Sequence, residues 1–225
     1  MNIRPADIIY EDNHLIVVNK QPGILVQGDI TGDKPLVELV KEFLKMKYQK
    51  PGNVFAGLVH RIDRPVSGLV LFAKTSKALE RMSKIFHDRQ VEKKYLAIVN
   101  GNPEPEIELN HWLKKNEKTN KATIFYKPKG DAKPVSLAYR KLAELSGDSL
   151  LEVVPYTGRP HQIRAQLSYT GTPIKGDLKY GSAYATKDKS ICLHAHSLSF
   201  KHPVQDKHVE IVAPFPESMD WVKFK

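Results

Sequence analysis

HRIDRPVSGLVLFAK, residues 60–74, is the stretch of the sequence that predicts most about the fold. Residues 60–63 can run extended, and Arg64 continues that trend because the residue before a proline is biased towards extended geometry. The proline, serine and glycine that follow are typical of turns. Residues 69–73 form an apolar run of strand length without polar alternation. The stretch therefore predicts a strand, a polar turn and a second, buried strand.

Asp63 is predicted to lie where the first strand opens into the turn, with Arg61 and Arg64 on either side of it. In an extended segment, Arg61 and Asp63 point to the same face. An acid held beside fixed cations keeps a low pKa and stays ionised at neutral pH. Asp63 is therefore better suited to act as a nucleophile or an electrostatic stabiliser than as a proton donor. A structural ion pair at a strand end is the alternative that the residues alone leave open.

The composition predicts a soluble globular protein with a basic surface. The chain has 225 residues, enough for one large domain or two small ones, with 41% hydrophobic and 27% charged residues. Its net charge of +10 favours a polyanionic partner, either nucleic acid or an anionic membrane surface. The single cysteine, Cys192, excludes an internal disulfide and fits a reducing compartment. With no signal peptide and no apolar run of membrane-spanning length, a cytoplasmic location and no membrane contact are predicted.

The pattern of apolar residues predicts more strands than helices. Residues 8–10 and 15–19 are expected to form a hairpin, and residues 24–27 another strand. Helices are predicted for residues 34–48, from Thr75 or Ser76 to about Asp88, and for residues 160–169, with Gly171 closing the last. The remaining predicted strands are residues 95–99, 109–113, 122–126, 135–142, 150–155, 192–200 and 209–212. This order predicts one domain, residues 1–225, of the α+β class with a largely antiparallel mixed sheet flanked by a few helices.

A second polar cluster, TGRPHQIR, occupies residues 157–164. It follows a predicted strand and opens a predicted helix, where backbone N–H groups favour an anion. That anion could be a phosphate or a carboxylate from elsewhere in the chain, and a capped helix with a solvated polar face is the alternative. Tyr95, in a predicted strand, has a hydroxyl for acid–base work and a ring that could stack on a base, although strand tyrosines commonly only pack.

Other kinds of catalytic site fit the sequence poorly. His194 and His196 share a strand face, but no cysteine or carboxylate stands at metal-ligand spacing beside them. Ser67 does not form a nucleophile elbow because position 65 is proline. Phosphate-loop and dinucleotide-binding glycine spacings are absent. A glycosidase requires two placed carboxylates, and after Asp63 the next candidate is Asp177.

Three segments in this order resemble the RluA-type pseudouridine synthases, which isomerise uridine in structured RNA. The segments are HRIDRPVSGLVLFAK, KKYLAIVNG and TGRPHQIRAQLSYTGTPIKGDLKYG. The opening IIYEDNHLIVVNKQPG and the trailing LHAHSLSFKHP are also similar to the family, so that the resemblance spans residues 8–203. It implies the pseudouridine synthase fold and an RNA-modifying isomerase that needs no cofactor and no metal.

The resemblance also implies roles for individual residues. Asp63 would be the essential catalytic residue, Tyr95 would stack on the target base and assist proton removal, and Arg164 would pair with and orient Asp63. Arg61 would help to displace the nucleotide from its stack. The remaining candidates for contact with the RNA are His60, Arg159, His161 and Gln162.

The sequence departs from the family's pattern at two places. Val66 stands where threonine is commoner, which removes one possible hydrogen bond at the turn. No N-terminal S4-type RNA-binding module is expected, so recognition would depend on the catalytic domain alone or on basic loops such as residues 114–133.

The sequence therefore predicts a monomeric enzyme, without an obligatory protein partner, that flips a uridine out of tRNA or ribosomal RNA and isomerises it. Whether Asp63 attacks the anomeric carbon or removes a ribose proton is left open. Two other functions are also left open: a catalytically idle RNA-binding protein, and a hydrolase that releases free uracil.

Overall fold

The computed structural model describes residues 3–225. The strands are Ile8–Glu11 (β1), Leu15–Lys20 (β2), Gly57–Leu58 (β3), Ser67–Ala73 (β4), Val91–Asn100 (β5), Glu106–Asn116 (β6), Lys121–Phe125 (β7), Lys133–Leu145 (β8), Asp148–Pro155 (β9), Leu193–Lys201 (β10) and His208–Val212 (β11). The α-helices are Leu36–Lys47 (α1), Ser76–His87 (α2), Gln162–Tyr169 (α3) and Met219–Val222 (α4), and Pro5–Asp7 and Leu178–Tyr180 form single 3-10 turns.

The two long helices form where the apolar spacing predicts them. α1 buries Leu36, Leu39, Val40 and Leu44 on one face, and lysines occupy its last turn, as the helix dipole favours. α2 begins after Thr75, whose Oγ1 accepts a hydrogen bond from the N–H of Ala78 at 3.2 Å, and this bond satisfies one of the unpaired donors at the helix start.

The contacts of the chain divide it into two compact units. The first unit comprises the described residues up to Glu92 together with Ala195–Ala213, and the second comprises Lys93–His194 and Pro214–Lys225. The prediction of one domain over the whole chain therefore stays a prediction.

In the first unit, β2 pairs antiparallel with β1 and with β4, β3 pairs with β4, and β11 pairs with β10. Leucine, valine and phenylalanine side chains from β2, β4, β10 and β11 form the core with two residues of α2, Ala78 and Met82. Gly68, at the start of β4, has φ +112°, and a Cβ there would lie 2.3 Å from the carbonyl oxygen of Ala195. Only glycine permits this conformation and this close approach.

In the second unit, the strands follow the order β5–β9–β8–β6–β7, with antiparallel neighbours. α3 packs on the end of this sheet, where Ala165 and Tyr180 join Leu113, Ile124 and neighbouring strand residues in a buried cluster. The segment after Pro214 is held to this unit by Lys175, whose Nζ lies 2.6 Å from Asp148 and 3.0 Å from Asp220.

The α+β class and the largely antiparallel sheet are confirmed, as are the hairpin of β1 and β2 and the three longer helices. Two predicted strands are wrong. Residues 24–27 form an irregular segment, because the carbonyls of Leu25 and Val26 accept the first N–H groups of α1. Residues 60–63 belong to a loop, because the N–H of Leu71 in β4 donates to the His60 side chain and strand pairing ends at Leu58.

Candidate active site

Asp63 lies in the loop that connects β3 to β4, rather than at the end of a strand. Its side chain is half-buried, and the neighbouring apolar residues Ile62 and Val66 are buried in the core. The carbonyl of Asp63 accepts a hydrogen bond from the N–H of Val66 at 3.1 Å. The turn and its two apolar anchors therefore hold the carboxylate at a defined position just before β4.

Arg64 fastens this loop to the turn that follows β2. Its carbonyl accepts a hydrogen bond from the N–H of Gly23 at 2.8 Å, and its Nε donates to the carbonyl of Gly23 at 3.0 Å. Its Nη2 contacts Asp33 at 2.7 Å. Arg64 was predicted only as a cation beside Asp63, and these contacts show that its guanidinium also fixes the loop.

Lys20 is a buried cation near Asp63 and was not predicted to belong to the site. It is 1% exposed, and its Nζ donates to the carbonyls of Gln21 at 3.0 Å and Arg64 at 3.1 Å. Burial lowers the pKa of Lys20 to about 7, while the charge of Asp63 acts to raise it and that of Arg64 to lower it. The only indication of this buried cation in the sequence is that a lysine ends the largely apolar run LIVVNK.

The structure gives His60 a packed environment. Its Nε2 accepts the N–H of Leu71 at 3.2 Å, and its ring stacks on Phe86 with a centroid distance of 5.0 Å. Arg61 is exposed and donates from Nη1 to Oε1 of Gln27 at 3.4 Å. Contact of either residue with substrate stays a prediction.

Tyr95 lies in the middle of β5, opposite Val153 of β9, and is half-buried. Lys93 precedes it by two residues and therefore shares its strand face. The Nζ of Lys93 lies 3.6 Å from the position that a Cβ of Gly158 would occupy. The TGRPHQIR loop and the beginning of β5 therefore lie close together in the second unit.

Gln162 organises the TGRPHQIR loop through its side-chain amide. Its Oε1 accepts from Oγ1 of Thr157 at 2.7 Å and from the N–H of Arg159 at 3.1 Å, and its Nε2 donates to the carbonyl of Ser136 at 3.1 Å. Gln162 is 4% exposed, whereas Arg159 is exposed. These bonds hold the loop together, and the predicted contact of Gln162 with RNA remains untested.

Arg164 forms a buried, bidentate pair with Asp177. Nε lies 2.6 Å from Oδ2 and Nη2 lies 2.9 Å from Oδ1, and the two side chains are 6% and 1% exposed. The ring of Tyr180 packs against the guanidinium, with Cζ 4.9 Å from the ring centroid. Asp177 was predicted only as a possible second carboxylate, although it lies in the KGDLKYG part of the family resemblance.

His161 connects the loop to the same tyrosine. It has left-handed backbone geometry with φ +58° and precedes the first residue of α3. Its Nδ1 lies 2.8 Å from the hydroxyl of Tyr180, which also accepts the N–H of Ala122 at 2.8 Å. Tyr180 was not predicted to belong to the site.

The predicted residues thus fall into two groups. The first unit contains three of them, His60, Arg61 and Asp63, and the structure adds Lys20 to this group. The second unit contains the other five, Tyr95, Arg159, His161, Gln162 and Arg164, and the structure adds Asp177 and Tyr180.

Among residues 3–225, no group of three or more His, Cys, Asp or Glu side chains could hold a metal ion. None of the helices described between these residues has the length and apolar character needed to cross a bilayer.

Comparison with known proteins relates the chain to one family. A family model described as RNA pseudouridylate synthase matches residues 14–169. Ribosomal large subunit pseudouridine synthase C of Vibrio cholerae is 34% identical over 220 residues, which cover 95% of this chain and 67% of that protein. Ribosomal large subunit pseudouridine synthase D of Zymomonas mobilis is 33% identical over 225 residues, covering 96% of this chain and 71% of that protein.

Solved structures show the same fold. Human RNA Pseudouridylate Synthase Domain Containing 4 superposes with a TM-score of 0.77 at 23% identity, over 96% of this chain and 90% of that chain. Human RNA Pseudouridylate Synthase Domain Containing 1 gives a TM-score of 0.74 at 24% identity, over 100% of this chain and 96% of that chain.

Proposed function

Because the chain belongs to the RNA pseudouridylate synthase family, and is an RNA pseudouridine synthase of the RluA type, we propose that it isomerises specific uridines in ribosomal RNA with Asp63 as the catalytic residue. In this reaction the bond between the ribose and N1 of uracil breaks, the base rotates, and the ribose is joined to C5. The proton on C5 leaves and N1 gains one, so the reaction consumes no co-substrate. A cofactor is therefore not required.

The observation that carries the proposal is the position of Asp63. Its carboxylate is half-buried in a loop whose backbone is fixed through Arg64 by Lys20 and Gly23. A carboxylate with a fixed backbone and a cation nearby can act on the ribose without reorganising first. Both modes of action, attack on the anomeric carbon and removal of a ribose proton, require the same placement.

We assign Tyr95 and Arg164 to the same reaction. The half-buried ring of Tyr95 suits stacking on the extruded uracil, and its hydroxyl suits assistance in removing the C5 proton. The guanidinium of Arg164 pairs with Asp177 through Nε and Nη2, and we propose that it also orients the carboxylate of Asp63. Arg61, which is exposed, would help to displace the target nucleotide.

Ribosomal RNA of the large subunit is the proposed substrate. The relatives that support it are named as ribosomal large subunit pseudouridine synthases, and tRNA is the alternative. Residues 114–133 carry seven lysines against two acidic residues, which suits contact with phosphates. We further propose that Arg159 and His161 contact the RNA, and that the enzyme acts as a cytoplasmic monomer without an obligatory protein partner.

The test is pseudouridine mapping of all RNA in cells that contain or lack the gene. We expect at least one large-subunit uridine to lose the modification when the gene is absent, and the wild-type gene to restore it. Asp63→Asn should bind RNA but restore nothing, whereas Asp206→Asn, at an exposed aspartate of the same unit, should restore the modification fully. Restoration by Asp63→Asn would refute the assignment of Asp63.

The same experiment separates substrates and reactions. Loss of pseudouridine from tRNA alone would refute the ribosomal substrate but not the enzyme class. Release of free uracil from RNA by the purified enzyme, followed by chromatography, would indicate hydrolysis instead of isomerisation.

A further inference from the structure

Tyr180 contacts two of the residues that the proposed function places in the site. Its ring lies against the guanidinium of Arg164 at 4.9 Å, and its hydroxyl lies 2.8 Å from Nδ1 of His161. The side chain is 4% exposed, and the chain reverses directly after it at Gly181, which has φ +99°. One rigid, buried ring therefore connects the TGRPHQIR loop to the Arg164–Asp177 pair.

One hydrogen bond of the Tyr180 hydroxyl has a direction that its donor fixes. The N–H of Ala122 can only donate, and it lies 2.8 Å from the hydroxyl oxygen, which therefore accepts this bond. The phenolic proton can then be donated to Nδ1 of His161, which lies 2.8 Å from the hydroxyl oxygen. An imidazole that accepts at Nδ1 and is neutral carries its own proton on Nε2.

Tyr180 also helps to hold the guanidinium of Arg164, together with Asp177. Asp177 directly precedes the 3-10 turn Leu178–Tyr180, and the N–H of Tyr180 donates to the carbonyl of Asp177 at 3.0 Å. The carboxylate and the ring that hold the guanidinium thus come from one short turn, so their relative position is set locally. A cation held both by a bidentate carboxylate and by an aromatic face has little freedom to rotate.

We propose that Tyr180 is a positioning residue of the isomerisation: its hydroxyl holds His161 in the tautomer that carries a proton on Nε2, and its ring holds Arg164 against Asp177. This inference rests on the proposed function, because the proposed function assigns His161 to contact with the RNA and Arg164 to the orientation of Asp63. In this tautomer His161 presents an N–H donor on the ring edge opposite Tyr180. Such a donor suits an oxygen acceptor of the bound nucleotide.

The first test reads the tautomer of His161 directly and needs no activity. The protein is labelled with ¹⁵N at histidine, and long-range proton–nitrogen correlation spectra are recorded at neutral pH without RNA. His161→Asn assigns the signal, because asparagine tolerates the left-handed backbone. We expect the proton on Nε2 in the wild-type protein and a mixture of tautomers in Tyr180→Phe. A proton on Nδ1 in the wild type, or an unchanged tautomer in Tyr180→Phe, would overturn the proposal.

The second test uses kinetics with an RNA that the wild-type enzyme modifies. Loss of one hydrogen bond that orients a reacting partner should lower kcat/KM of Tyr180→Phe about tenfold. If the hydroxyl acts through His161, Tyr180→Phe should change kcat/KM less than about twofold in a His161→Asn background. Equal effects in both backgrounds would refute the connection.

Tyr139→Phe is the matched control, because Tyr139 is also 4% exposed and lies in β8 of the same unit. It should leave the tautomer of His161 and the kinetic constants unchanged. If the wild-type enzyme modified no RNA, the proposed function would fail while the tautomer measurement still decided the role of the Tyr180 hydroxyl.

Discussion

Each unit has one buried cation among its candidate site residues, and the partners of these two cations differ. Lys20 donates to two carbonyls, those of Gln21 and Arg64, whereas Arg164 has a bidentate carboxylate. Carbonyl dipoles compensate less of the cost of burying a charge than a carboxylate does. Lys20 is therefore the residue whose charge responds to pH, while the guanidinium stays protonated.

Lys20 makes stability depend on pH in a defined direction. Burial lowers its pKa from 10.5 to about 7, so between these values the unfolded chain binds a proton that the folded protein has released. The free energy of unfolding should therefore rise with pH above about 7, by at most ~1.4 kcal/mol per pH unit. Urea unfolding from pH 7 to 9 should show the wild type gaining stability relative to Lys20→Met. The exposed Lys77→Met serves as control, and parallel curves for wild type and Lys20→Met would contradict this explanation.

Asp177→Asn tests the buried pair. The substitution keeps the shape of the side chain but removes the negative charge that the guanidinium of Arg164, which is 6% exposed, contacts through two atoms. Breaking a buried ion pair from one side costs about 3–5 kcal/mol, measurable as a lower midpoint of urea unfolding. Asp131→Asn, which removes an exposed pair with Lys114, should leave the midpoint nearly unchanged. Equal midpoints for wild type and Asp177→Asn would contradict the prediction.

At the scale of elements, the start of β4 positions the Asp63 loop. Gly68 combines φ +112° with the approach of Ala195, so an added methyl group would both strain the backbone and clash with it. We expect Gly68→Ala to lower the free energy of unfolding by at least ~2 kcal/mol. Gly130→Ala, where φ is +55° and no atom lies within 4 Å of the added Cβ, should cost only about 1 kcal/mol. Similar losses in both variants, measured by urea unfolding, would show that the contact with Ala195 has no importance.

The elements that the sequence predicts well are those whose signal is local. Helical spacing in residues 34–48 and the capping threonine before α2 need no knowledge of distant residues. The strand predicted for residues 60–63 fails because a side chain, His60, takes the backbone donor of Leu71. The spacing of apolar residues does not indicate where a side chain takes the place of a backbone carbonyl as hydrogen-bond acceptor.

The candidate site divides in the same way. Asp63, Tyr95 and Arg164 stand in recognisable motifs, but their supports come from far along the chain: Lys20 reaches Arg64 across 44 positions, and Ala122 reaches Tyr180 across 58. The sequence identified Asp177 as a candidate carboxylate and Arg164 as a candidate cation. Their pairing depends on the packing of α3 against the turn that ends at Tyr180, which a single sequence does not specify.

At the scale of the whole molecule, positive charge is concentrated in one segment. Residues 114–133 contain seven lysines and two acidic residues, and the chain as a whole carries +10. Each phosphate contact that is lost should reduce the slope of log K against log salt by about 0.7–0.9. We expect the double variant Lys118→Gln/Lys127→Gln to bind its RNA more weakly and with a shallower salt slope in filter binding. Lys77→Gln, at an exposed lysine of α2, should match the wild type, and an unchanged slope in the double variant would exclude these lysines as phosphate contacts.

Each compact unit is assembled from two separate stretches of chain, since Ala195–Ala213 complete the first and Pro214–Lys225 complete the second. During translation, residues 3–92 therefore emerge long before the strands β10 and β11 that their core requires. Nascent chains that must wait for distant segments expose apolar surface and unpaired strand edges in the meantime. Synthesis of this enzyme should consequently depend on chaperones that shield the β2–β4 layer until Ala195–Ala213 have left the exit tunnel.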